Sequence, residues 1–139
     1  MTADEALKQG DVNVALQLLQ ENVKKQPANA ELRVFLFQLL AVLGQWDRAL
    51  NQLDVAADLD DSTLAMVSMY RQVIACERFR EQVFLGNKEP VIFGKPEEWV
   101  ALLIQALKLT AQGESAKSQQ LRNQAFETGL VELAGRKGS

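Results

Sequence analysis

The sequence predicts an all-α fold in which pairs of helices follow one another and form an α–α superhelix. Two observations support this prediction. Three Pro and eight Gly fall mainly between long stretches rich in Ala, Leu, Gln and Val, which is typical of helices joined by short turns. The chain also contains an internal repeat with a spacing of 34 residues. No alternating run of β-branched residues is long enough to predict a sheet.

Small residues at matching positions define this repeat. Gly10 matches Gly44, and Ala15 matches Ala49. The spacing is that of the tetratricopeptide unit, a helix pair with one small residue at its turn and another where its helices cross. Glycine permits the left-handed backbone that ends the first helix, and alanine lets the two helices approach closely. Leu16 likewise matches Leu50, Leu19 matches Leu53, and Pro27 matches Asp61.

The elements of the first two units follow from these turns. Four helices are predicted, at about residues 3–9, 12–26, 30–43 and 46–58. A helix-start signal at Asp61 and Ser62 then precedes a longer helix over about 63–85. A loop follows, and we expect its apolar segment, residues 91–93, to pack against the protein. Cys76, inside the long helix, is expected to be buried.

The last part of the chain predicts one more helix pair. Pro96, with two acidic residues after it, starts a helix that reaches about residue 111. Gly113 then turns the chain into a final helix at about 115–134. The spacing from Gly113 to Ala125 repeats an interval of the second unit, so this pair is interpreted as a degenerate repeat.

These elements amount to six or seven helices. At 139 residues with 47% hydrophobic content, the chain is expected to form a single helical domain over 1–134, followed by a disordered tail over 135–139.

Composition excludes several functional classes. The formal net charge is −3 and the basic residues are scattered, so nucleic acid is not expected as a partner. The longest apolar stretch, residues 34–43, is far shorter than the roughly 20 residues needed to cross a bilayer, so membrane insertion is not expected. The acidic N-terminus has no apolar core that would make it a secretion signal. We therefore expect a soluble, cytoplasmic protein.

The residue types also predict that the protein is not an enzyme and has no cofactor. With no His and a single Cys, the chain cannot form a catalytic triad, a Cys–His pair or a Cys/His zinc site. Asp58, Asp60 and Asp61 lack the glycine and distal glutamate of a calcium loop. No phosphate-binding glycine loop or nucleophile elbow is present.

The continuous stretch from Arg33 to Leu53 resembles the ImpE/SciE/TagJ family, accessory proteins of bacterial type VI secretion. Further matching segments follow in the same order and spacing, at residues 59–60, 66–67, 70–71, 83–86 and 96–103. The resemblance concerns the N-terminal helical part of that family. Its members carry a second, more β-rich region, which is either truncated or naturally absent here.

This resemblance implies a role and a set of partners. It implies a bacterial cytoplasmic accessory of the contractile sheath that binds a helical segment of the small sheath subunit. It also implies cooperation with the AAA+ ATPase that recycles contracted sheaths. The repeat alone would equally allow a chaperone or adaptor for another secreted protein. Short repeat arrays leave apolar ends exposed, and a homodimer is one way to cover them.

The third predicted helix supplies most of the candidate protein-binding residues. One of its faces is filled by leucine and phenylalanine, while Val34, Phe37 and Ala41 form a second apolar line. An amphipathic partner helix could dock along that line. The alternative is that Phe37 and Val34 pack inside the protein.

Polar and aromatic residues complete the candidate site. Arg33, Gln38 and Arg71 adjoin the apolar line and would suit hydrogen bonds or charge pairs at its rim, or else are simply solvated. Trp99, beside the irregular loop, is a candidate anchor for a partner or a structural ring. Trp46 is interpreted as a structural plug between repeat units.

Overall fold

The computed structural model of the chain describes residues 1–137, with side chains as far as Arg136. The described part consists of helices and their connections, so the predicted all-α class is confirmed. Its elements are α1 (Ala3–Lys8), α2 (Val12–Lys25), α3 (Ala30–Val42), α4 (Trp46–Leu59), a 3-10 turn (Asp61–Thr63), α5 (Leu64–Phe84), α6 (Glu98–Ala111) and α7 (Ser115–Lys137).

The chain divides into two compact units, Met1–Ala75 and Cys76–Ser139, and the division falls within α5. The prediction of one domain over 1–134 stays a prediction. The sequence predicts that the last helix ends near residue 134, but α7 continues to Lys137. Gly138 and Ser139, the end of the predicted disordered tail, lie outside the described residues.

Glycine ends the first helix of each repeat in the way that the sequence predicts. Gly10 and Gly44 have φ angles of 80° and 71°, in the left-handed region. The residue after each glycine donates its N–H back into the helix: Asp11 to the Ala6 carbonyl and Gln45 to the Leu40 carbonyl, both at 2.9 Å. This is the Schellman arrangement, which satisfies carbonyl groups that the helix end would otherwise leave open.

Small residues lie where the paired helices cross in the unit 1–75. Ala15 and Ala49 are both 0% exposed, so the predicted close approach of helices is confirmed. Leucines fill the core around them, among them Leu19, Leu40 and Leu53, each at most 1% exposed. Trp46 is half-buried and packs against this core, in agreement with its predicted structural role.

In the unit 76–139, α6 and α7 form a helix pair in which a serine occupies the crossing position that alanine occupies in the first two pairs. Ser118 follows Gly113 by the same five residues that separate Gly44 from Ala49, and it is 0% exposed. Its hydroxyl donates to the Ala106 carbonyl at 2.9 Å and shares a 2.6 Å hydrogen bond with the Thr110 hydroxyl. A small polar residue therefore takes the place of alanine, with its hydroxyl satisfied inside the pair.

The expectation that residues 91–93 pack against the protein is wrong. Phe93 is 96% exposed and Val91 is 71% exposed. Polar contacts hold the first part of the loop instead: the Lys88 ammonium lies 5.6 Å from the Phe79 ring centroid, and Glu89 forms an ion pair with Lys108. These anchors fix the loop without covering its apolar tip.

The predicted burial of Cys76 is also wrong, because the thiol is exposed. The buried positions of α5 include Val67 and Ile74, which are seven residues apart and share one face. Cys76 lies two residues beyond Ile74, and two residues turn a helix by about 200°. Its side chain therefore points away from that face.

Candidate functional site

A groove of about 220 Å³ runs along α3 in the unit 1–75. Helix α3 is apolar around most of its circumference, so one side enters the core while Val34 and Phe35 remain half-buried. The turn between α4 and α5 forms the opposite wall. The α3 groove is lined by Ala30, Glu31, Val34, Phe35, Gln38, Asp60 and Thr63.

The rim of the α3 groove carries negative charge. Asp60 caps the 3-10 turn: its carboxylate accepts hydrogen bonds from the Ser62 hydroxyl at 2.7 Å and the Ser62 N–H at 2.9 Å. These bonds, the hydroxyl bond first, lower the pKa of Asp60 below its ordinary value. Glu31 supplies a second, exposed carboxylate. The arrangement suits an apolar helix face flanked by lysine or arginine.

The role of Ser62 leads to a pH prediction. A lowered pKa means that the ionised Asp60 contributes stability above its ordinary pKa, and this contribution is lost as pH falls through the lowered value. Ser62→Ala removes the hydroxyl bond and keeps the N–H, so the pKa of Asp60 should rise toward its ordinary value. A carboxyl-carbon NMR titration measures this directly. An unchanged pKa in Ser62→Ala would show that the hydroxyl does not stabilise the carboxylate.

The side chains of the two candidate arginines, Arg33 and Arg71, interact with other residues of the same chain. Arg33 donates from Nε and Nη2 to the Pro27 carbonyl, at 3.2 and 3.0 Å, and from Nη1 to Gln52 Oε1 at 3.1 Å. Arg71 forms an exposed ion pair with Asp54. Neither arginine lines the α3 groove. In this structure Arg33 ties the α2–α3 turn to α4.

The second apolar line of α3 separates into two environments. Phe37 is 2% exposed, and its ring centroid lies 5.1 Å from that of Tyr70 at an interplanar angle of 59°, a favourable tilted packing. Interior packing, the alternative considered for Phe37, is what the structure shows. Ala41 is half-buried against the core. Val34 and Gln38, by contrast, both line the α3 groove.

Trp99 lies in the other unit, at a second pocket of about 290 Å³ between α6 and α7. Its indole N–H donates to Glu97 Oε2 at 2.6 Å, and the other oxygen of Glu97 pairs with Arg136. A Cβ built on Gly129 would lie 3.5 Å from Trp99 Cγ, so the ring rests closely on α7. The α6–α7 pocket is lined by Glu97, Trp99, Ala125, Phe126, Gly129, Leu130, Glu132, Leu133 and Arg136.

Sequence reasoning missed the contribution of Asp60 and Thr63 to the groove. The sequence pattern argues against a calcium site at Asp60 and gives this residue no role in a groove, and it places the helix-start signal at the next residue. The repeat itself could have indicated them, because the second helix of a repeat ends beside the first helix, so residues just after α4 lie near α3.

Within residues 1–137, no group of three or more His, Cys, Asp or Glu side chains is arranged to hold a metal. No helix among them is long and apolar enough to cross a membrane.

Known proteins are similar to this chain at two levels: one match covers the repeat region, and two others cover about nine tenths of the chain. Residues 6–72 match the tetratricopeptide repeat family. The chain is 54% identical over 127 residues, 91% of its length, to the type VI secretion system accessory component TagJ of Pseudomonas aeruginosa. It superimposes with a TM-score of 0.80 and 26% identity on the crystal structure of protein VPA1032 from Vibrio parahaemolyticus, over 90% of its length. It spans 45% of TagJ and 47% of the Vibrio chain.

Proposed function

Because this chain is a relative of the ImpE/SciE/TagJ family and carries tetratricopeptide repeats, we propose that it is a non-enzymatic accessory protein of the bacterial type VI secretion system. In this proposal it acts in the cytoplasm and binds a helical segment of the small sheath subunit. It thereby aids sheath assembly, or recycling by the AAA+ ATPase.

The α3 groove is the observation that carries the proposal. Its floor is apolar, from Val34 and Phe35, and its rim is acidic, from Glu31 and Asp60. A volume of about 220 Å³ takes one or two side chains, not a whole helix. We therefore expect a partner helix to insert apolar residues spaced by three or four positions and to place a basic residue next to the acidic rim.

Calorimetric titration with helical peptides from the small sheath subunit tests the proposal. Val34→Asp places a charge on the apolar floor and should weaken binding about tenfold or more, as loss of a central contact does. Val42→Asp is the matched control, because Val42 lies on the same helix, is 75% exposed and is not part of the groove lining. It should leave the affinity within about twofold.

A rim substitution keeps the test informative if Val34→Asp fails to fold. Glu31 is exposed, so Glu31→Lys changes the rim charge without entering the core. It should slow association and weaken the salt dependence of binding. A folded wild-type protein that binds none of the sheath peptides would contradict the proposal.

The repeat match favours a second candidate, an adaptor for a different secreted protein. The family match to residues 6–72 alone does not specify a partner, since tetratricopeptide repeats present grooves for many helices. Genomic position separates the candidates. A gene near sheath and ATPase genes supports the sheath accessory, whereas a gene far from them supports the adaptor.

A further inference from the structure

The α6–α7 pocket and the surface beside it are not used by the proposed function. Three large apolar residues of α7 line the pocket and are still mostly exposed: Phe126 at 64%, Leu130 at 68% and Leu133 at 58%. Their spacing of four and three residues places them on one helix face. Large exposed apolar residues that share one helix face make this surface a candidate interaction site.

One carboxylate in the α6–α7 pocket defines what its occupant must carry. Glu132 Oε2 is buried, and no described residue donates a hydrogen bond to it. Glu97 is different, because Trp99 and Arg136 occupy both of its oxygens. A buried carboxylate oxygen without a donor is costly. The occupant therefore needs an apolar group for the pocket and a cationic donor for Glu132.

The loop before α6 has this chemistry. Phe93 is 96% exposed and Val91 is 71% exposed, so the loop presents an uncovered apolar tip. Lys95 follows Phe93 by two residues and forms no hydrogen bond or ion pair with the residues that the structure describes. An aromatic ring and a free ammonium group therefore lie close together in the sequence.

We propose that the 91–95 loop of a second copy of this chain occupies the α6–α7 pocket. Phe93 of one copy packs against Trp99 and Phe126 of the other, and Lys95 donates to Glu132. The pocket volume of about 290 Å³ is large enough for the Phe93 ring and the end of the Lys95 side chain. A two-fold axis makes the exchange reciprocal, so that each copy gives one loop and receives one.

Sedimentation equilibrium of the full chain tests this dimer. The wild type should show a reversible monomer–dimer equilibrium, and Phe93→Ser should weaken dimerisation about tenfold or more. Because Phe93 is 96% exposed, this substitution leaves the packing of each copy intact. Val42→Ser, at a residue 75% exposed on α3, is the control and should leave the dimer unchanged.

Charge-reversal variants of Lys95 and Glu132 distinguish this dimer from other ways in which the same surface could be covered. Lys95→Glu alone and Glu132→Lys alone should each weaken dimerisation, and the double variant should restore it. Far-UV circular dichroism checks that each variant is helical. A wild type that stays monomeric at about 100 μM, roughly a hundred times a micromolar Kd, would overturn the proposal. So would a dimer that Phe93→Ser does not weaken, or a double variant that restores nothing.

Discussion

Leu53→Ala is expected to lower the free energy of unfolding of the unit 1–75 by about 2–5 kcal/mol, the range measured for buried leucines cut to alanine. Leu53 is 0% exposed on α4, in the same core as Leu19 and Leu40. The substitution removes buried apolar atoms and leaves a cavity that close-packed neighbours fill only in part. A loss of this size is a large fraction of the roughly 5–15 kcal/mol typical of a domain.

Urea denaturation measures this loss, and the chain offers a matched control and a local reporter. Leu59 lies on the same helix but is 40% exposed, so Leu59→Ala should cost below about 1 kcal/mol. Trp46, in a Trp99→Phe background, reports fluorescence from the unit 1–75 alone. Equal losses for Leu53→Ala and Leu59→Ala would contradict the assignment of Leu53 to the core.

Gly86→Ala is expected to destabilise the unit 76–139 by about 2 kcal/mol or more. Two costs add. Gly86 has a φ of 80°, where a side chain costs about 1–2 kcal/mol. A Cβ at this position would also lie 2.9 Å from the Ala111 Cβ, a contact that forces neighbouring backbone to shift and costs about 1–3 kcal/mol.

Gly113→Ala separates these two costs. Gly113 has the same φ of 80° and the same position after a helix, but no atom lies within 4 Å of the point that an added methyl group would occupy. It should therefore cost only the backbone strain of about 1–2 kcal/mol. Urea denaturation followed by Trp99 in a Trp46→Phe background compares the two variants. Equal costs would mean that the contact of Gly86 with Ala111 is relieved by a small movement.

The helix pairs could be predicted because their signals are local. Glycine at the turn and a small residue five positions later specify a helix end and a close crossing within one short stretch of sequence. The observed bounds of the first four helices therefore differ from the predicted ones by only one residue at their C-terminal ends. Serine can replace alanine at the crossing, as Ser118 shows. Its side chain is small enough for the close approach, and its hydroxyl forms hydrogen bonds with residues of α6.

The faces of α3 could not be assigned from periodicity. Val34 and Phe37 lie on one predicted apolar line, but only Phe37 meets the ring of Tyr70, 33 residues later in the chain. Such a distant partner leaves no signal in a helix that is apolar on most sides. The exposed tip at Phe93 could not be foreseen for a related reason, because hydrophobicity favours burial but does not supply a covering surface.

Repeat geometry and family relationship support different parts of the functional proposal. The repeats and the α3 groove support binding of a helix, since paired helices with an apolar, acid-rimmed groove suit an amphipathic segment. The 54% identity with TagJ is what connects that helix to type VI secretion. The proposed function therefore combines a place, the α3 groove, with a partner, the small sheath subunit.

An NMR titration of the isotope-labelled chain with a helical peptide of the small sheath subunit tests both parts at once. We expect saturable shifts of backbone amide signals centred on Val34, Gln38 and Thr63, three residues that line the α3 groove. Signals from the α6–α7 pocket should not follow the same titration curve. An absence of shifts at saturating peptide, or shifts confined to residues outside the α3 groove, would contradict the proposed function.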